Sequence, residues 1–109
     1  MSDLEILFLG TGTSTGVPMI GCDCPVCKSD NPHNRRLRSS IYLTAGNLKI
    51  LVDTSPDFRE QALCHNIRKV DALFITHVHV DHLFGLDDIR RINTIQNASI
   101  PVWSSPEAI

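Results

Sequence analysis

The stretch Thr76-His77-Val78-His79-Val80-Asp81-His82 gathers three imidazoles and one carboxylate within six residues. Neutral imidazole and carboxylate groups are ligands for zinc, manganese and iron. Because side chains alternate along an extended segment, His77 and His79 are expected to lie on one side and bind one ion. Asp81 and His82, where the chain turns, would then face a neighbouring ion. A surface turn that happens to carry histidines is the alternative, but three of the chain's five histidines lie here at ligand spacing.

The sequence on either side of this cluster predicts alternating strands and helices. Apolar runs of strand length cover residues 4–9, 40–44, 48–52, 72–76 and 100–103, and the 4–9 and 72–76 runs are typical of buried strands. Ala45-Gly46-Asn47 predicts a hairpin turn. Helices are expected over Asp57–Cys64, capped by Ser55 or Asp57, and after the cluster, where apolar residues recur at helical spacing. Residues 10–38 lack periodicity and are expected to form a long loop.

Composition limits the chain to one small domain. It has 109 residues, 42% hydrophobic and 20% charged, as in ordinary globular proteins. A formal net charge of −2 does not favour nucleic acid binding, although it does not exclude a local basic patch. The basic run Asn34–Arg38 is typical of a solvated face, and orientation of a phosphate by its arginines is the alternative. No secretory signal and no apolar run of the roughly 18–20 residues that span a bilayer are apparent. We therefore expect a cytoplasmic protein without a membrane partner.

Three of the four cysteines lie in Cys22-Asp23-Cys24-Pro25-Val26-Cys27. Without an export signal, such spacing favours metal ligation over a disulfide framework. Three thiolates supply three corners of a tetrahedral zinc site. Reduced thiols in a flexible loop are the alternative. His33, Cys64 and His65 are candidates for the fourth zinc ligand. The alternative is that Cys64 is a buried helical thiol and that the two histidines are solvated side chains.

The stretch from Thr76 to Leu86 resembles the signature of the metallo-β-lactamase superfamily. The resemblance implies an αββα sandwich, of which this chain would be the α+β N-terminal half, with residues 1–109 forming part of one domain. It also implies that His77 and His79 bind one divalent ion, zinc or manganese, and that Asp81 and His82 bind a second. Asp53, which ends Leu51-Val52-Asp53-Thr54, resembles the family's aspartate that supports the histidine segment. A strand-end turn residue is the alternative for Asp53.

Two further stretches resemble a branch of this superfamily. Gly10-Thr11-Gly12-Thr13-Ser14-Thr15-Gly16 does not have the spacing of a nucleotide-binding loop and resembles the opening of the phosphodiesterases. Cys-x-Cys-x-x-Cys within residues 10–38 resembles the phosphonate-pathway cyclic phosphodiesterase subgroup, where it holds a structural zinc. The resemblance implies hydrolysis of a small or cyclic phosphodiester by water that two metal ions activate, with Asp81 and His82 in the catalytic centre.

Two other functions stay open at this stage. One is hydrolysis of another ester or thioester, because the metal motif serves several substrate classes. The other is a metal-binding fragment without turnover. By resemblance, a complete site needs later histidines and a bridging aspartate, and after His82 the chain has no histidine and only Asp87, Asp88 and Glu107 as carboxylates. We therefore expect one sheet face to be bare, and to be covered by the missing half or by a second copy.

Overall fold

The computed structural model describes residues 3–76, 85–104 and 106. The predicted ligands His77, His79, Asp81 and His82 lie outside these residues. The elements are β1 (Leu4–Gly10), β2 (Ser40–Ala45), β3 (Leu48–Val52), α1 (Phe58–His65), β4 (Ala72–Phe74), α2 (Ile89–Gln96) and β5 (Val102–Trp103), with 3-10 helices at Pro32–Asn34 and Leu86–Asp88. None of the helices in these described ranges is long and apolar enough to cross a membrane.

The strands form one mixed sheet in the order β1-β2-β3-β4-β5. The first three are antiparallel, and the turn between β2 and β3 is tight, because Ala45 pairs with Leu48 and Gly46 takes a positive φ of 62°. β3, β4 and β5 are parallel. Parallel neighbours require crossover connections, and α1 and α2 provide them. The carboxyl ends of β3 and β4 therefore lie side by side, which places Asp53 next to the residues that follow β4.

One face of the sheet packs against the two helices and holds the core. Leu51 of β3 and Leu73 of β4 are fully buried there, together with Phe58 from α1 and Ile92 from α2. Val70, before β4, is also fully buried. Because successive side chains of a strand point to opposite faces, this core uses only every second residue of each strand.

The opposite face is apolar and exposed. Phe8, Ile41, Val52, Phe74 and Trp103 form one row across all five strands, and its outer members Phe8 and Trp103 are 64% and 58% exposed. The rings of Phe74 and Trp103 stack with centroids 6.2 Å apart. Leu4 and Ile6 continue the patch along β1. Contiguous exposed apolar surface is typical of protein or membrane interaction sites and of ligand-binding grooves.

The structure corrects three of the sequence-based predictions. Residues 4–9 do form a strand, but β1 is not buried, because Leu4, Ile6 and Phe8 point to the bare face and only Leu9 is buried. β4, predicted as a buried strand over 72–76, is likewise covered on one face only, because Phe74 is 41% exposed on the bare face. Cys64 is exposed on α1 and is not a buried helical thiol. The other predicted elements are present with boundaries shifted by two residues or fewer, and Asp57 is the α1 N-cap without a side-chain capping bond.

The two sheet faces predict opposite responses to truncation. We expect Leu73→Ala to lower the free energy of unfolding by about 2–5 kcal/mol, because it opens a cavity in the core. Leu4→Ala, the same chemical change on the bare face, should cost much less, since Leu4 is 65% exposed. Urea unfolding of both variants measures the difference. Equal losses would show that the two faces are buried alike.

Candidate metal centre

Asp53 connects the ends of β3 and β4. Its backbone lies in the left-handed region, with φ of 64°, which aspartate tolerates better than most residues. The Asp53 amide donates to the Phe74 carbonyl at 2.7 Å. Its carboxylate accepts from the Thr76 amide at 2.7 Å and from the Thr76 hydroxyl at 2.8 Å. Asp53 is only 4% exposed, so it is not an ordinary strand-end turn residue. It fixes the residue that immediately precedes His77.

Gly85 fixes the other side of the motif segment. Its amide donates to the Thr54 carbonyl at 3.0 Å. A Cβ on Gly85 would collide with the Ser55 carbonyl oxygen and lie 2.8 Å from the Phe58 Cβ, so only glycine fits here. Residues 77–84 therefore connect Thr76 and Gly85, two residues that the turn after β3 holds through hydrogen bonds.

A network of buried polar groups supports this turn. The Ser55 hydroxyl donates to the Gln61 side-chain oxygen at 3.1 Å and accepts from the Asp57 amide. The Gln61 amide group donates to the Arg38 carbonyl, and Arg38 makes both a backbone and a guanidinium bond to the Asp57 carboxylate, each at 2.9 Å. Ser55 and Gln61 are almost fully enclosed. Such satisfied buried networks hold one conformation, because each unmade bond would be costly.

Cys22, Cys24 and Cys27 form a second group of ligands. Their sulfur atoms lie within 4.8 Å of one another, which approaches the separation of about 3.8 Å that tetrahedral zinc with Zn–S of about 2.3 Å requires. Backbone amides already point at two of the sulfurs, since Met19 N donates to Cys27 Sγ and Cys27 N donates to Cys24 Sγ, both at 3.4 Å. All three are free thiols. This cluster fits one zinc ion.

The same contacts shift the thiol pKa values in opposite directions. The Cys27 amide, aided by Cys22, lowers the pKa of Cys24 from 9.0 to about 7. At Cys27, the Met19 amide acts in the lowering direction, but hydrogen bonding to Cys22 and desolvation prevail and raise its pKa. Zinc ligation requires thiolates, so a lowered pKa at one ligand favours binding near neutral pH.

The described residues bring together only part of the predicted ligand set. The three cysteines cluster, but His33, Cys64 and His65 do not join them. No local sequence pattern indicates the roles of Arg38 and Gln61, because the contact between them is long-range. The packing of Gly85 could have been inferred only from its place just after the motif.

Comparisons with known proteins identify the family of this chain. A family model described as beta-lactamase superfamily domain matches residues 49–109. The chain belongs to the beta-lactamase superfamily. It is 47% identical to a diphosphatase from the PhnP family, whose solved structure superposes with a TM-score of 0.91 over 95% of this chain and 42% of that one. The predicted family and α+β fold are thereby confirmed.

The chain is also similar to two other known proteins over most of its length. It is 50% identical over 90 residues to the octanoyltransferase of Porphyromonas gingivalis, which covers 82% of this chain but 18% of that protein. The zinc-bound PqqB of Methylobacterium extorquens shares the fold, with a TM-score of 0.65 and 21% identity over 92% of this chain and 45% of that one. The chain thus spans less than half the length of each of these proteins.

The Asp53 contacts predict a graded response to substitution. Asp53→Asn keeps one acceptor oxygen and tolerates the left-handed backbone, so we expect a loss of about 1.5–3 kcal/mol in the free energy of unfolding. Asp53→Ala should cost more, because it removes both acceptors and places alanine at a positive φ. Urea unfolding measures both. An alanine variant as stable as the asparagine variant would contradict this role.

The cysteine pKa values predict an order of alkylation. In chelator-treated protein, Cys24 should react with iodoacetamide at half its maximal rate near pH 7, because its pKa is lowered to about 7. Cys27 should require a higher pH, because its pKa is raised. Peptide mass spectrometry at each pH resolves the two sites, and added zinc should slow both. Identical pH profiles, or no protection by zinc, would refute this assignment.

Proposed function

We propose that this chain is the motif-bearing part of a metal-dependent phosphodiesterase that hydrolyses a small or cyclic phosphodiester. The observation that carries the proposal is the double hydrogen bond from Thr76 to the buried Asp53 carboxylate, one residue before His77. A structural aspartate at this point serves to orient ligands that follow it. The likeness to a diphosphatase at 47% identity supports phosphate chemistry over other esters.

The residues proposed to hold the metals follow from donor chemistry and from the family. His77 and His79 would bind one divalent ion, and Asp81 with His82 the other, as zinc or manganese. Ions bound there would act as Lewis acids and activate water as the nucleophile. The chain's own contribution in the described part is positional: Asp53 holds Thr76, and Thr54 holds Gly85. We also propose a structural zinc at Cys22, Cys24 and Cys27, with a fourth ligand from elsewhere.

A partner surface completes the proposal. The exposed row from Phe8 to Trp103 is an apolar sheet face that we expect to be buried in the functional protein. We propose that the second half of a longer polypeptide, or failing that a second copy of this chain, packs on it. This arrangement would also supply the remaining metal ligands, so the 109 residues alone should turn over substrate weakly. The cytoplasmic location and the absence of nucleic acid partners stay predictions.

The first experiment tests the metal centre with matched carboxylates. Asp53→Asn should weaken zinc or manganese binding about 10–100-fold in calorimetry. Asp71→Asn is the control, because the Asp71 carboxylate also accepts a backbone amide, from Lys49 at 2.7 Å, but at the opposite end of the same strands. An equal loss in both variants would mean that Asp53 acts through general stability alone.

The second arm of this experiment identifies the substrate class. Protein that includes the covering half, loaded with zinc or manganese, is assayed on bis-nitrophenyl phosphate, cyclic phosphates, a thioester and a lactam. We expect phosphodiester hydrolysis that Asp53→Asn reduces and Asp71→Asn preserves. Preferred hydrolysis of the thioester or the lactam would overturn the phosphodiesterase proposal while leaving the metal centre intact.

A further inference from the structure

A cleft of about 490 Å³ opens between α1 and α2, on the side of the helices away from the sheet. Each helix contributes an arginine and apolar residues. These are Arg59, Ala62 and Leu63 from α1, at i, i+3 and i+4, and Arg91, Ile92 and Ile95 from α2, of which Arg91 and Ile95 are four positions apart and Ile92 and Ile95 three. Residues separated by three and four positions lie on one face of a helix, so each helix presents a basic residue followed by apolar ones. The cleft therefore has a consistent chemical pattern on both walls.

Some residues that line the cleft are buried in the core and others are exposed. Phe58, Ile67 and Ile92 line the floor and belong to the buried core, with 1%, 6% and 4% exposure. Leu63 and Ile95 line the walls and are 66% and 46% exposed. Because the cleft is already formed and its apolar walls are exposed, it can accept a ligand without rearrangement of the fold.

Two arginines of the cleft, like Arg35 outside it, have guanidinium groups without a partner among the described residues, whereas Arg36, Arg38 and Arg90 are paired. Arg38 pairs with Asp57, and Arg90 pairs with Asp87. Arg59 and Arg91 are exposed and make no ion pair or side-chain hydrogen bond with the described residues. Among the described residues, Arg68, a third arginine of the cleft, bonds only to Asn66, and Asp88 is the one carboxylate of the lining. The rim therefore carries a net positive charge with two guanidinium groups available.

We propose that this cleft binds a small amphipathic anion, a carboxylate on a medium-length alkyl chain. Its volume lies within the range of about 300–1,000 Å³ typical of small-molecule sites. An eight-residue helix is about 12 Å long, which matches an extended chain such as that of decanoate. The alkyl chain packs along Leu63 and Ile95, and the carboxylate accepts hydrogen bonds from Arg59 or Arg91, since guanidinium matches carboxylate geometry.

The site lies on the helical side of the sheet, away from the bare sheet face. Phe58 and Ile92 reach the core from the helical side, whereas Leu4, Ile6 and Phe8 line the opposite face of the sheet. A ligand in the cleft can therefore be distinguished from one that adsorbs to the sheet by the residues it perturbs. Failure of phosphodiester hydrolysis would not affect this proposal.

The test follows decanoate binding to the full ¹⁵N-labelled chain by NMR, below the concentration at which decanoate forms micelles. We expect saturable shifts of the Leu63 and Ile95 amides. The double variant Arg59→Gln/Arg91→Gln should weaken binding at least tenfold, and the neutral amphiphile octyl glucoside should bind at least tenfold more weakly than decanoate. Higher ionic strength should also weaken decanoate binding.

A matched control separates the cleft arginines from net charge. Arg35→Gln/Arg90→Gln makes the same change in charge at exposed positions outside the cleft and should leave decanoate affinity unchanged. The proposal is overturned if the control weakens binding equally, if octyl glucoside binds as tightly, or if the shifts fall on Leu4, Ile6 and Phe8. It is also overturned if decanoate does not bind and an acidic peptide does.

Discussion

The rest of the structure depends on one buried carboxylate. Asp53 is tied to β4 by its own amide and to Thr76 by both carboxylate oxygens. These bonds are made in a largely enclosed site, where leaving a polar group without a partner would be costly. The left-handed backbone at Asp53 turns the chain away from the sheet at the point where the carboxylate must face the neighbouring strand. Strain at this residue is offset by the contacts that it permits.

The mixed sheet makes the contact between Asp53 and Thr76 possible. In the antiparallel part, the ends of neighbouring strands alternate, but β3 and β4 run parallel, so their carboxyl ends coincide. Ligand sites in such sheets form at the carboxyl ends of the strands. The buried network of Ser55, Gln61 and Asp57 then fixes the turn after β3 against Arg38, which lies on the long loop before β2. Loop, sheet and helix thus converge on the residues that flank the motif.

Sequence patterns were sufficient to predict the strands and helices, but not to predict which of their faces are buried. Leu48–Val52 was predicted with its observed boundaries, and the motif residues indicated the family. The 4–9 run was interpreted as a buried strand because both of its faces are apolar, and a continuous apolar run cannot reveal that only one face is covered. The prediction that Cys64 is buried was wrong for a related reason. The sequence of α1 has little amphipathic character, so the exposed side of this helix could not be identified from it. Arg38 contacts Asp57, 19 residues away, and Gln61 contacts Arg38, 23 residues away, and no local pattern encodes contacts of this kind.

Two kinds of interaction stabilise the loop from Gly10 to Arg38. Backbone hydrogen bonds stabilise its outer parts, and contacts of the cysteines stabilise its tip. Its outer parts pair with each other, since Gly12 N donates to the Leu37 carbonyl at 2.7 Å and Val17 bonds to Arg36 in both directions. Arg38 then anchors this pair to Asp57. None of these bonds involves a cysteine, so the outer parts hold their shape through the protein alone. The cysteines order only the tip, where Met19 and Cys27 donate to thiol sulfurs. A zinc ion there would therefore stabilise the segment around residues 19–29, and its removal would leave Arg38, and with it the support of the Asp53 turn, in place.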